Sequence, residues 1–234
     1  MKTILKIAGA FILFIVLIQM CSDGSSDSTA SNYSSDNDNP TSAAGASSGL
    51  STADLKEMLE SDRKLLADAK KNFVFEGDEF TGGGWYKHKL WDINKILHKT
   101  LLTANVNQDG YAYLVSNYYG DDWIFHESIT VKIDDRVIDS DVVPTYEKNN
   151  VHENTGGSVW ETIHFTEERD NRILSSIGAN PEKTIKVRLN GRNYHKDYAL
   201  SKNDKQAIAD CAFLSELIKS VNDKEAQLKA AGAL

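Results

Sequence analysis

Two cysteines in 234 residues cannot make a disulfide framework, and Cys21 and Cys211 sit in surroundings too unlike to suggest a pair. Cys211 lies on the apolar stripe of IADCAFLSELI, where a thiol behaves as a small buried hydrophobe. Basic residues are also scarce: 26 Lys and Arg stand against 34 Asp and Glu, a net charge of -8. That balance argues against nucleic acid as a partner and favours solubility. The six histidines, at 88, 98, 126, 152, 164 and 195, show neither H-x-x-x-H nor H-E-x-x-H spacing, so no metal site and no cofactor is expected. No phosphate-cradling glycine motif occurs, and no apolar run reaches the ~20 residues of a membrane span.

What is present begins with Lys2 and Lys6, followed by the fourteen apolar-rich residues IAGAFILFIVLIQM and then Cys21. A basic start and a short apolar run mark residues 1–20 as a signal peptide. With the cysteine at its end, the segment resembles the signal sequence of bacterial lipoproteins, although Met20 stands where that pattern has a small residue. The resemblance implies cleavage before Cys21, a lipid on its thiol, and anchoring to a membrane outside the cytoplasm. Ser22 implies the outer membrane where the host has two. An ordinary secretory signal or an uncleaved anchor would also place the chain outside the cytoplasm. Residues 21–50 are so rich in Ser, Asp, Asn and Gly that they are expected to form a flexible tether. The match to G-x-S-x-G at Gly45–Gly49 falls in this tether, without the strand and helix that a nucleophile elbow needs.

Residues 51–220 read as one globular domain, followed by an exposed helical tail over 221–234. Ser51 and Asp54 start an amphipathic helix carrying Leu55, Met58, Leu59, Leu65 and Leu66, and Ser201 with Asp204 starts a second through Ile208, Leu214 and Val221. Between them lie strands. Phe73–Trp91 reads as two short strands around Gly82–Gly84, and Asp109-Gly110 turns another pair. Tyr111–Ile133 reads as a central hairpin around Gly120-Asp121-Asp122. In its second half Trp123, Phe125, Ile129, Val131 and Ile133 alternate with polar residues, and Glu127 alone breaks the apolar face. A bulge that turns Glu127 to solvent is the expected remedy. Residues 145–157 read as a polar loop, and Thr166 as the cap of a helix through Ile177. Asn190-Gly191 predicts a two-residue turn that pairs Val187 with Tyr194. The fold class is α+β: an antiparallel sheet or sandwich packed with N-terminal, internal and C-terminal helices.

Two motifs give way to turns. Asn105-x-Asn107-x-Asp109-Gly110 begins like a calcium loop, but Ser116 occupies the position that needs a bidentate Glu. Tyr119–Asp122 resembles the metal-binding YGDD turn of template-dependent polymerases, but the basic template channel of such enzymes is missing. From about residue 100 to 220 the chain resembles uncharacterised domains of small secreted and lipid-anchored bacterial proteins, which implies no activity. Tyr118 and Tyr119 cannot both face the core of one strand, so Trp85, Tyr118, Tyr119 and Trp160 are the candidate surface for a protein or glycan of the cell envelope. Lys186, Arg188 and His195 form a candidate anion patch. The alternative is an envelope hydrolase using Glu127 with His126 or His164.

Overall fold

The computed structural model describes residues 50–80 and 82–234. The signal segment, Cys21 and nearly all of the tether lie outside the described residues. Helix α1, Thr52–Ala69, starts as its sequence directs: the Ser51 hydroxyl accepts from the Asp54 N–H at 3.1 Å, and the Asp54 carboxylate accepts from the Ser51 N–H. Ten strands follow in two antiparallel sheets. They are β1 (Phe73–Gly77), β2 (Gly84–His88), β3 (Leu101–Asn107), β4 (Ala112–Gly120), β5 (His126–Ile133), β6 (Arg136–Asp139), β7 (Asn150–Thr155), β8 (Ser158–Phe165), β9 (Ile185–Gly191) and β10 (His195–Ala199). The four-residue α2, Ile93–Ile96, precedes β3, α3, Ile173–Gly178, follows β8, and the long α4, Lys202–Ala230, closes the chain. The larger sheet runs β1-β2-β3-β4-β8-β7 and the smaller β10-β9-β5-β6, so the fold is α+β.

The expected central hairpin is not formed. β4 pairs with β3 and β8, whereas β5 pairs with β6 and β9, and residues 121–125 carry the chain from one sheet to the other. Alternation shows that a strand has a buried face; it does not say which strand lies beside it. The register of β5 against β9 shifts between His126 and Ser128. That bulge turns Glu127 outward, as its place on an apolar face demanded, and also reverses the parity upstream. His126 therefore enters the core and Phe125 stays partly exposed at φ 51°.

Other departures follow from local geometry. Residues 150–155 are the edge strand β7, joined to β8 by Gly156-Gly157 with both φ values positive, the backbone that a two-residue hairpin turn requires. Four positive-φ residues, Glu167, Glu168, Asn171 and Arg172, hold 166–172 as turns, and the helix expected from Thr166 starts only at Ile173. The β9–β10 register pairs Val187 with Tyr198, not Tyr194, because neither Asn190 nor Gly191 has the positive φ of a two-residue turn. Gly191 serves another purpose: a Cβ there would meet the Ile124 carbonyl oxygen.

Leu102, Ala104, Val106, Leu114 and Ile163 of the larger sheet, Ile129, Val131, Val187 and Leu189 of the smaller, and Ile208, Cys211 and Leu214 of α4 share one buried cluster. Each fully buried aliphatic side chain there contributes about 1.5–3 kcal/mol. Residues 221–234 carry α4 on to Ala230 with most of their side chains exposed, but Val221 and Leu228 pack with Leu59 of α1 in a second cluster. None of the described helices is long and apolar enough to cross a membrane.

Candidate functional site

The inner face of the larger sheet is covered and, apart from Ser116 and Glu161, largely apolar, so the side chains that solvent can reach are displayed on the outer face. On β8 the inner residues Val159, Ile163 and Phe165 alternate with Ser158, Trp160, Thr162 and His164. On β4, Leu114, Ser116 and Tyr118 alternate with Tyr113, Val115, Asn117 and Tyr119. Cross-strand pairing sets Tyr119 beside Trp160 and Trp85 beside Asn107. Two groups of rings result. In one, Trp85 lies 5.2 Å from Tyr113 and 6.4 Å from Tyr111, with His164 5.9 Å from Tyr113. In the other, Tyr119 lies 5.2 Å from Trp160, and His98 packs at 5.1 and 5.8 Å against the two. Edge and tilted contacts of this kind hold rings in fixed attitudes.

Hydrogen bonds fix the rings further. The Trp160 indole N–H donates to the Leu97 carbonyl at 2.6 Å, and the Tyr119 hydroxyl lies 3.1 Å from Ser158 Oγ. Asn105 Nδ2 donates to the Tyr113 hydroxyl, and Thr162 Oγ1 donates to Asn117 Oδ1. Of the candidate surface, Trp85, Tyr119 and Trp160 are half-buried on this outer face. Tyr118 points inward, 8% exposed, with its hydroxyl donating to the Asp122 carbonyl. Burial, together with Glu161, Asp121 and Asp122, raises its pKa. A cleft of 410 Å³ adjoins the Trp85 end, lined by Glu76, Asp78, Lys87, Asn107 and Gln108. A second of 330 Å³, lined by Asp121, Asn154 and Ser158, adjoins the Tyr119 end.

The candidate anion patch is brought together, and one carboxylate enters it to pair with Arg188. Lys186, Arg188 and His195 share the exposed face of β9–β10, but the true register sets Asp197 opposite Arg188. Both Asp197 oxygens accept from the guanidinium at 2.7 Å, and His195 lies 3.9 Å from the same carboxylate. Glu127 is a quarter exposed and accepts from the Thr145 N–H and from Arg192, not from a histidine. Burial pushes its pKa up, but these two donors outweigh burial and leave the carboxyl below its ordinary value.

The buried acid is Glu161, left unassigned in the sequence although it shares the strand face of Val159 and Ile163. Glu161, His126 and Ser116 are each 0% exposed. Glu161 Oε1 accepts from the N–H groups of Ile124 and Phe125 at 2.7 and 2.9 Å; Oε2 accepts from the His126 N–H at 2.8 Å and faces His126 Nδ1 at 2.9 Å. His126 Nε2 meets Ser116 Oγ at 2.9 Å. Burial alone would raise the Glu161 pKa, but the bonds from His126 and Phe125 bring it below the ordinary value, so the carboxylate is ionised and His126 Nδ1 carries the proton it donates. The order serine, imidazole, carboxylate is that of a nucleophilic triad. Here it is sealed, with all three side chains 0% exposed, and the three successive N–H groups of residues 124–126 are all directed at Glu161. Its evident work is to hold the crossover 121–126, including the strained Phe125.

Among the described residues no group of three or more His, Cys, Asp or Glu side chains is placed to hold a metal ion. Comparison with family models, with curated proteins and with solved structures finds no match to this chain.

Proposed function

We propose that this protein is a binding module, lipid-anchored outside the cytoplasm through Cys21, that holds a glycan of the cell envelope against the outer face of its larger sheet. The observation that carries the reading is the pair of ring groups on that face, around Trp85 and around Trp160, each fixed by neighbouring rings. Rings offer flat apolar area to the CH faces of sugars, and the amides and hydroxyls of Asn105, Asn117 and Thr162 answer sugar hydroxyls. At the centre of the same face the aliphatic residues Leu101 and Val115 are only 6% and 5% exposed, while Val74 and Val151, on the edge strands, are 50% and 39% exposed. Between the two ring groups what is on offer is ring and amide, which suits a glycan better than an apolar protein surface.

The test is retention of the protein in gels containing soluble polysaccharides. Trp85→Ala, Tyr119→Ala and Trp160→Ala are expected to weaken retardation clearly, and Tyr118→Phe, whose ring is inside, to leave it intact. Equal retardation of all variants would refute the reading. Lipidation is tested separately by labelling with a palmitate analogue, which Cys21→Ser should abolish.

A second reading, hydrolysis by Ser116 with His126 and Glu161, has the 2.9 Å contacts in its favour. Covalent labelling of Ser116 by a fluorophosphonate in the folded protein would support it. The complete burial of all three side chains makes it the weaker of the two.

A further inference from the structure

Resting on the glycan reading, we infer that the ligand is a neutral, linear chain lying along β4, and that a single chain engages both ring groups at once. Tyr113, Val115, Asn117 and Tyr119 occupy successive outward positions of β4, and the first and last belong to different ring groups. Six residues of strand separate them by about 20 Å, a distance no single sugar ring covers. Between them the floor is low and polar: Val115 is buried beneath its neighbours, and Asn117 and Thr162 bond each other across the β4–β8 pair. The row runs parallel to the strand, with neither a wall nor a large side chain of β4 interrupting it.

Charge selects among linear glycans. At the Trp85 end the cleft is lined by Glu76, Asp78 and Lys87, and Lys87 is ion-paired with Glu76. The cleft at the Tyr119 end is lined by Asp121 and by no cation. A polyanionic chain would meet Asp121 with no cation in the lining of the cleft at the Tyr119 end, in a protein that is already acidic. A hydroxyl-rich neutral chain meets acceptors that its hydroxyls can satisfy.

The experiment is calorimetric titration with cello- and chito-oligosaccharides from disaccharide to hexasaccharide, and with polygalacturonate as the anionic chain. For the neutral series that binds, affinity is expected to rise about tenfold or more from disaccharide to hexasaccharide, as the second ring group is reached within one molecule. Trp85→Ala and Trp160→Ala should each bring the hexasaccharide down close to the disaccharide. Trp160→Phe, which keeps a ring and guards against a folding defect, should retain the length dependence. Affinity independent of length would overturn the inference while leaving the glycan reading intact, as would a full length dependence in either alanine variant or tighter binding of polygalacturonate. Absence of binding to every chain would remove both.

Discussion

Replacing Glu161 by Gln removes one charge and almost no volume, so its cost reports on the carboxylate and its hydrogen bonds, not on packing. Each carboxylate oxygen accepts two bonds at 0% exposure: Oε1 from Ile124 and Phe125, Oε2 from the backbone and ring of His126. A glutamine has only one acceptor oxygen. In one orientation its NH₂ faces the His126 N–H; in the other it faces those of Ile124 and Phe125. The imidazole can change tautomer to accept from the amide, but a backbone N–H cannot. At least one charge-assisted bond worth about 1.5–3 kcal/mol is lost, and a buried donor is orphaned at about 1–3 kcal/mol. Part of this is returned, because freeing the crossover relieves the strain of Phe125 at φ 51°. The net expectation is about 2–5 kcal/mol, a large share of the ~5–15 kcal/mol that holds a domain together. Urea unfolding followed by tryptophan fluorescence measures it. Glu127→Gln is the matched control: its carboxylate is a quarter exposed and pairs with Arg192, and the change should cost less than about 1 kcal/mol. If Glu161→Gln lost no more than the control at an unchanged denaturant slope, the anchoring role of Glu161 would be refuted.

The same carboxylate gives a pH dependence. Its folded pKa lies below the ordinary 4.5, so its stabilisation is complete above pH 4.5 and is lost as pH falls toward the folded value. Asp170 works in the opposite sense, since burial raises its pKa and its contribution grows as pH falls. The gap between wild type and Glu161→Gln isolates the first effect, and should narrow below pH 4.5 in urea titrations; a constant gap would contradict it. Leu228→Ala should cost about 2–4 kcal/mol and speed amide exchange in α1, because Leu228 is fully buried with Leu59 and Val221; an unchanged midpoint would mean the last turns of α4 are not docked. Gly191→Ala should cost about 1–3 kcal/mol in the same assay by forcing the Ile124 carbonyl away, with no change expected were the glycine only a turn residue.

These cases show where pattern in a sequence stops being informative. The caps at Ser51 and Ser201, the Asp109-Gly110 turn and the β1–β2 and β3–β4 pairs were legible because each is decided within a few residues. The Gly156-Gly157 turn carried an equally local signal, and the polar composition of β7 masked it, as befits an edge strand. His126 and Glu161 were not legible as partners, for their contact spans 35 residues and depends on a bulge that reverses parity within β5. Only when β5 leaves the sheet of β4 does His126 reach Glu161, so the mistaken hairpin and the unassigned acid are one error.

The outer face behaved differently. Strand alternation alone dictates that Tyr118 and Tyr119 diverge, and one did turn inward while the other stayed out. Which rings would be neighbours was not legible: Trp85, Tyr119 and Trp160 come from three strands, and only registers set by Asp109-Gly110 and by the β4–β8 pairing align them. The buried Glu161 anchor bears on this alignment. It sits on β8 between Trp160 and Thr162 and ties that strand to the crossover leaving β4 beyond Tyr119. The interior network, which offers no reachable nucleophile, therefore contributes to the rigidity of one end of the ring row. Loss of glycan binding in Glu161→Gln, at a urea concentration where the variant remains folded, is the consequence to look for, and intact binding there would separate the two features.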